Sequence, residues 1–262
     1  MRKALLISDS AAAAKPGSPA RWGRLIGASV ALASAELART IDRPVLLLAE
    51  DPRHADQLEA EIRFFAGDEL PVEHFVEWET LPWDSFSPHQ DIVSQRLRVL
   101  ADLPTIKRGV IIAAASVLQQ RLPPVDYVAA RSLSLAEGQT LDRDEFTGAL
   151  VAAGYFRVPQ VSEHGEYAVR GSLIDIFPMG ADRPIRIDFF DDEIESLRYF
   201  SPETQLSGDK TTRVSVLPAR EVPLDEDAIR GFRHRYRERF EGQPGKSRVY
   251  RDISDGIAHG GI

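Results

Sequence analysis

The chain contains no cysteine among its 262 residues. That excludes disulfides, thiolate zinc sites, cysteine nucleophiles and iron–sulfur clusters, and it fits a reducing compartment. Long apolar runs are also missing. Met1, Arg2 and Lys3 lead only into the short patch Ala4, Leu5, Leu6 and Ile7 before polar residues intervene, so neither a membrane span nor a full signal segment is read here and a cytoplasmic location is expected. The six histidines never fall at metal-ligand spacing on one helix, no Gly-x-Ser-x-Gly elbow is present, and no metal or catalytic residue is assigned. Positive charge is in deficit. A formal net charge of −8 argues against a broad nucleic-acid surface, because duplex binding draws on a positive field that displaces counterions.

The phosphate loop is the most informative absence. Arg24 to Leu32 precedes a helix and then an apolar strand at Val45, the place where a nucleotide-binding α/β domain holds its glycine-rich cradle, lysine and magnesium-binding hydroxyl. One glycine, Gly27, remains, and Val30 and Ala31 stand near the positions of the lysine and hydroxyl. Valine cannot pair with a phosphate and alanine cannot ligate magnesium, so this segment is expected neither to hydrolyse ATP nor to need a cofactor.

A hydrophobic fraction of 43% over this length supplies cores for two domains. The first half alternates strand and helix. Pro44 to Ala49 reads as a strand buried in a parallel sheet, Asp51-Pro52 opens a helix to about Phe65, and Pro71 to Phe75 is a weaker strand. A helix from Gln90 to Asp102 and a second buried strand from Gly109 to Ala113 follow. This is layered α/β organisation over residues 1–123, ended by Pro123-Pro124. Residues 124–212 read as α+β: a strand near Tyr127 to Leu135, a helix capped by Asp142 with Glu145 in capping-box register, then closely spaced strands through Phe200. From 213, Val214 to Leu217 reads as a strand returning to the first domain, and Asp225 starts a helix to about Phe240. The glycine-rich tail suggests a fragment of something longer.

Within the second domain, Ile185-Arg186-Ile187-Asp188-Phe189-Phe190 alternates strictly. Ile185, Ile187 and Phe189 face a core, while Arg186, Asp188 and Phe190 face outward. An outward phenyl group beside an arginine and acids reads as a docking surface, or as a ring covered by another part of the chain. Asp188, Asp191, Asp192, Glu193 and Glu195 are dense enough to suggest a magnesium site or paired-carboxylate catalysis, but Asp191-Asp192 sits where a tight turn is needed. Later, Arg230, Arg233, Arg235, Arg237 and Arg239 crowd one helix whose Phe232, Tyr236 and Phe240 form an aromatic stripe. These arginines read as a solvated face or as a contact for nucleic acid or a partner.

Gly165-Glu166-Tyr167-Ala168-Val169-Arg170-Gly171-Ser172-Leu173-Ile174-Asp175-Ile176-Phe177-Pro178-Met179-Gly180, continued by Arg186 to Ile194, closely resembles the N-terminal module of bacterial transcription-repair coupling factors. The segment Trp78-Glu79-Thr80-Leu81-Pro82-Trp83-Asp84-Ser85-Phe86-Ser87-Pro88-His89-Gln90 resembles the first domain of the same family. The resemblance runs from about residue 25 onward. It implies a UvrB-homology region: a helicase-like parallel-sheet domain without a functional phosphate loop, interrupted by an α+β domain of the UvrA-binding type. The short path from Pro88 to Gln90 leaves no room for the long hairpin with which UvrB grips DNA. It also implies a non-catalytic module that recruits UvrA through Arg170, Arg186 and Phe190, and so links stalled RNA polymerase to nucleotide excision repair. ATP, magnesium, DNA and RNA polymerase would belong to the remainder of the parent translocase, whose C-terminal domains would mask the surface. An ATP-using, DNA-binding helicase fragment and an autoinhibitory brake on the motor are the competing readings. Acids outnumber bases about two to one over residues 124–212, so arginines there would be islands in a negative field.

Overall fold

Three parallel strands form the first sheet of the computed structural model, which describes residues 19, 21–81 and 84–259. The apolar patch at residues 4–7, and Pro82 and Trp83 of the Trp78 motif, lie outside the described residues. Contacts divide the chain into two units, one within Met1–Glu77 and Asp102–Arg121, the other within Trp78–Ala101 and Leu122–Ile262.

In the first unit, β1 (Pro44–Ala49), β2 (Val72–Phe75) and β3 (Gly109–Ala114) run parallel in the order β1-β3-β2. Two helices, α1 (Ser29–Thr40) and α2 (Pro52–Ala66), cover one face. Asp51 caps α2 by accepting from the His54 amide at 2.8 Å, Pro52 supplies a preset first turn, and Gly67 at φ +58° ends the helix. Alanine stripes, Ala31, Ala35 and Ala38 on α1 with Ala55 and Ala66 on α2, bring the two helices and Val110 and Ile112 into one core. Gly109 cannot be replaced: at φ +140°, an added Cβ would stand 2.6 Å from the Pro71 carbonyl oxygen. Of the three described strands of this sheet, β3 alone is buried along its whole length. β1 departs from its expected burial on both faces, because it is an edge strand with helices on one side; Val45 and Leu47 pack inward while Leu46 and Leu48 remain 56% and 46% exposed.

A side-chain cluster joins α2 to β2. His74, almost fully buried, lies 2.8 Å by its Nδ1 from Glu59 Oε2, and Arg63 Nη2 lies 2.8 Å from the other oxygen. The hydrogen bond from His74 is the main reason the Glu59 carboxyl falls from an ordinary 4.5 to about 2; burial opposes the shift and Arg63 adds to it.

Among the described residues the second unit holds thirteen further α-helices and β-strands. α3 (Gln90–Asp102), α4 (Val125–Arg131), β4 (Leu133–Ala136) and α5 (Arg143–Ala153) lead into β5 (Phe156–Arg157), β6 (Glu166–Arg170), β7 (Leu173–Ile176), β8 (Ile185–Phe190), β9 (Glu193–Phe200) and β10 (Ser207–Thr211). β11 (Arg213–Val216), α6 (Glu226–Arg239) and α7 (Arg248–Ser254) complete it. The six strands β5 to β10 lie in consecutive order, antiparallel except at β5–β6. Phe146 and Leu150 of α5 join Tyr167, Ile174, Ile176, Ile185, Ile187, Phe189, Ile194 and Leu197 from the inward face in one core. The α5 cap is as expected, with Asp142 accepting from the Glu145 amide at 2.8 Å.

Three expectations change. Residues 127–135 are not one strand: the chain turns helical directly after Pro124, whose carbonyl accepts from the Tyr127 amide at 2.9 Å, and Ala129-Ala130 sustain the helix until β4 begins. β11 pairs with β4 in the second unit instead of returning to the first sheet, with Val214 and Val216 opposite Leu135 and Leu133 in the common core. α3 also packs in the second unit, with Leu97 fully buried and Ser94 Oγ accepting from the Gly180 amide at 2.8 Å. Its Arg96, fully buried, donates to Glu221 at 2.5 and 3.1 Å, and the Trp78 indole N–H donates to the same carboxylate at 3.0 Å.

Two outcomes are expected. Because Glu59 titrates lower in the folded chain than when unfolded, its stabilisation is present above about 4.5 and is lost as pH falls toward about 2. Thermal melts between these limits should therefore show a steeper acid loss in the parent chain than in Glu59→Gln. Removing the carboxylate from buried Arg96 by Glu221→Ala should cost about 3–5 kcal/mol in urea unfolding, and Glu221→Gln, which keeps a hydrogen-bond acceptor, should cost less.

Candidate partner-binding surface

The register of β6, β7 and β8 decides which side chains share the outward face of the large sheet. Arg170 stands opposite Leu173, which stands opposite Asp188; two residues along, Ala168, Asp175 and Arg186 form the neighbouring row. Arg170 and Arg186 thus lie on one face, diagonally across β7. Phe190 ends β8 on the same side, opposite Glu193. Asp191, at φ +52°, then makes the turn, a conformation that aspartate tolerates better than most side chains. Turn geometry accounts for the acids at 191 and 192, as expected from their place between two strands.

The three residues meet different fates. Phe190 is 70% exposed, so its ring is not sheltered by the described chain. Arg186 is engaged internally: Nε and Nη2 donate in a fork to Asp175 at 2.7 and 2.9 Å, and Nη1 donates to Ser207 Oγ at 2.9 Å and the Gln205 carbonyl at 3.2 Å. Its guanidinium also lies 4.9 Å from the centre of the Phe200 ring. The hydrogen bond to Asp175 raises the Arg186 pKa and holds the cation charged. Arg170 is exposed and, among the described residues, makes only long hydrogen bonds, 3.3 Å to the Pro159 carbonyl and 3.4 Å to Gln205 Oε1. Asp175 belongs to Arg186, and Asp188 accepts from Ser172 Oγ at 3.2 Å.

At Gly27, φ is +59° and α1 begins two residues later, which puts Val30 and Ala31 in its first turn. Ala31 is fully buried in the alanine core, and the Ser29 hydroxyl donates to the Ile26 carbonyl at 2.8 Å. On α6 the aromatic stripe is only partly covered. Phe232 and Tyr236 stack with Tyr250 of α7 at ring distances of 6.0 and 5.0 Å, while Phe240 stays 55% exposed. Arg237 donates to the Tyr250 hydroxyl at 3.0 and 2.7 Å, and Arg233 to the Ser254 carbonyl at 2.5 Å, so part of the basic face secures the helix pair.

One group escaped the spacing argument. Asp56 and Glu59, three apart on α2, meet His74 of β2 with ligand atoms within 4.8 Å of one another, and these three could hold a metal ion. The imidazole comes from a strand, so no histidine pair at helical spacing marks the cluster in the sequence.

Residues 133–222 match the family described as the UvrB interaction domain. Over 95% of its length the chain is 44% identical to the transcription-repair-coupling factor of Escherichia coli (strain K12), and over 92% it is 40% identical to that of Haemophilus influenzae. The corresponding protein of Myxococcus xanthus is 33% identical over 81% of the chain. The chain spans about a fifth of the length of these relatives, 21%, 21% and 18% respectively.

The internal role of Arg186 has a measurable consequence. Arg186→Ala strands a carboxylate that is 1% exposed and should lower stability by about 3 kcal/mol, whereas Phe190→Ala should stay within about 0.5 kcal/mol of the parent in the same urea titration.

Proposed function

On the premise that the chain belongs to the transcription-repair coupling factor family, we propose that it is a non-catalytic module that recruits UvrA and so couples stalled RNA polymerase to nucleotide excision repair. The observation that carries this reading is Phe190, a ring 70% exposed at the end of a central strand, on the face that also presents Arg170 and inside the segment matching the UvrB interaction domain. Aromatic rings and arginines are both enriched in protein interfaces, where a few such side chains carry most of the binding energy. Arg186 acts mainly by holding β7 and β8 in place, with the edge of its guanidinium left to the partner.

The reading extends to the first unit, taken as a degenerate helicase-like domain. A helix whose first turn offers Val30 and Ala31 beside Gly27 gives no lysine or free hydroxyl to a nucleotide, so the segment acts without a cofactor. ATP and magnesium serve the motor of the full-length parent, and DNA and RNA polymerase are met by its other regions. Its C-terminal domains cover the Phe190 face until the motor engages. Among the described residues no helix is long and apolar enough to cross a membrane. The recruitment reading puts the module in the cytoplasm.

Calorimetric titration with UvrA tests the assignment. The parent chain should bind, and Phe190→Ala and Arg170→Ala should each weaken binding about tenfold or more. Unchanged affinity in both would reject this surface, and absence of binding by the parent chain would reject recruitment itself.

A further inference from the structure

The hairpin of β8 and β9 does not stand alone at its tip. The Gly138 amide donates to the Ile194 carbonyl at 2.8 Å, the Ile194 amide to the Gln139 carbonyl at 2.9 Å, and the Leu141 amide to the Asp192 carbonyl at 2.6 Å. These bonds fasten the turn after β4 alongside Phe190. Between them lies a shallow depression of about 380 Å³, lined by Phe190, Glu137, Glu193 and Glu195 with Gly138 and Ile194 beneath. All three glutamates are exposed, and among the described residues no ion pair or side-chain hydrogen bond engages their carboxylates. Acids on a hairpin are ordinarily a solvated face; an unsheltered phenyl group among them is not explained that way, since it gains by burial.

We infer that this depression receives an arginine side chain of the partner protein, stacked on the Phe190 ring and paired with Glu193, Glu195 and Glu137. The inference deepens the recruitment reading and rests on it for the identity of the partner. The chemistry favours a cation of planar shape. The face of a phenyl ring attracts a guanidinium, whose fork of N–H donors can reach carboxylates at the rim, while an ammonium offers no flat surface to stack. Charge complementarity points the same way. Arg186, on the same strand as the ring, is tied to Asp175, and at the hairpin tip the acids Glu137, Glu193, Glu195, Asp191 and Asp192, with Asp188 beside them, outnumber Arg143 and Arg213. The partner patch is therefore basic where it meets the hairpin tip, and the long-range field of these acids speeds its approach. The backbone bonds that hold Gly138 and Ile194 preorganise the depression, so little ordering accompanies binding.

Two measurements decide it. Titrating the isotopically labelled chain with N-acetyl-arginine amide should shift the Gly138, Phe190 and Glu193 resonances with saturation in the millimolar range. N-acetyl-citrulline amide, of the same shape without charge, should leave them in place. Equal shifts with both probes, or none with either, would overturn the inference whatever UvrA does. In the second measurement, Glu193→Gln/Glu195→Gln should weaken UvrA binding about tenfold and flatten its dependence on salt. If UvrA binds the parent chain and the double variant equally, the arginine pocket falls while recruitment stands. If UvrA binds neither, recruitment falls and the amide titration alone decides the pocket.

Discussion

The period-two alternation of β8 is the constraint on which the second unit depends. Ile185, Ile187 and Phe189 are all buried in the main core, and a slip of one residue against β7 or β9 would exchange that apolar face for Arg186, Asp188 and Phe190. Register is therefore held by burial of three large side chains on one side and, on the other, by the forked pair between Arg186 and Asp175. Both act in the same direction. With register settled, the outward position of Phe190 follows from geometry alone, and the irregularity in pairing after Asp188 brings Glu193 and Glu195 close to the ring.

This arrangement gives the arginines unequal work. Arg186 stabilises a nearly inaccessible carboxylate in the sheet, so its loss would damage the platform before it damaged any contact. Arg170 carries no comparable internal load. The phenyl group is the least committed of the three. The ion pair fixes where the strands lie, while the exposed ring and the acids beside it are left without internal partners among the described residues.

Sequence made local features legible where a single chemical preference dominated. The cap at Asp142, the proline start at Pro52, the helix from Gln90 to Asp102 and the inward and outward faces of β8 all follow from patterns a few residues long. Tertiary pairing was not legible. Nothing near Val214 announces β4 as its neighbour, Arg96 shows no sign that Glu221 lies opposite, and the alternation that exposes Arg186 cannot tell that Asp175 waits one strand away. The strand read over Tyr127 to Leu135 failed for a related reason, since aromatic and branched side chains suit a strand and a short buried helix alike, and the preceding proline tipped the balance. At the candidate surface, the ring was visible from its place in the strand, but the approach of Glu137 from a turn some fifty residues earlier was not.

The central claim is that the Phe190 ring, open on this chain, is covered by UvrA. Replacing Phe190 with the photoreactive p-benzoylphenylalanine and irradiating the complex tests it most directly, with the same group at Phe64, 81% exposed in the first unit, as the comparison. The account requires efficient crosslinking to UvrA from position 190 and little from position 64. Equal yields from both positions, or none from position 190 in a formed complex, would contradict it.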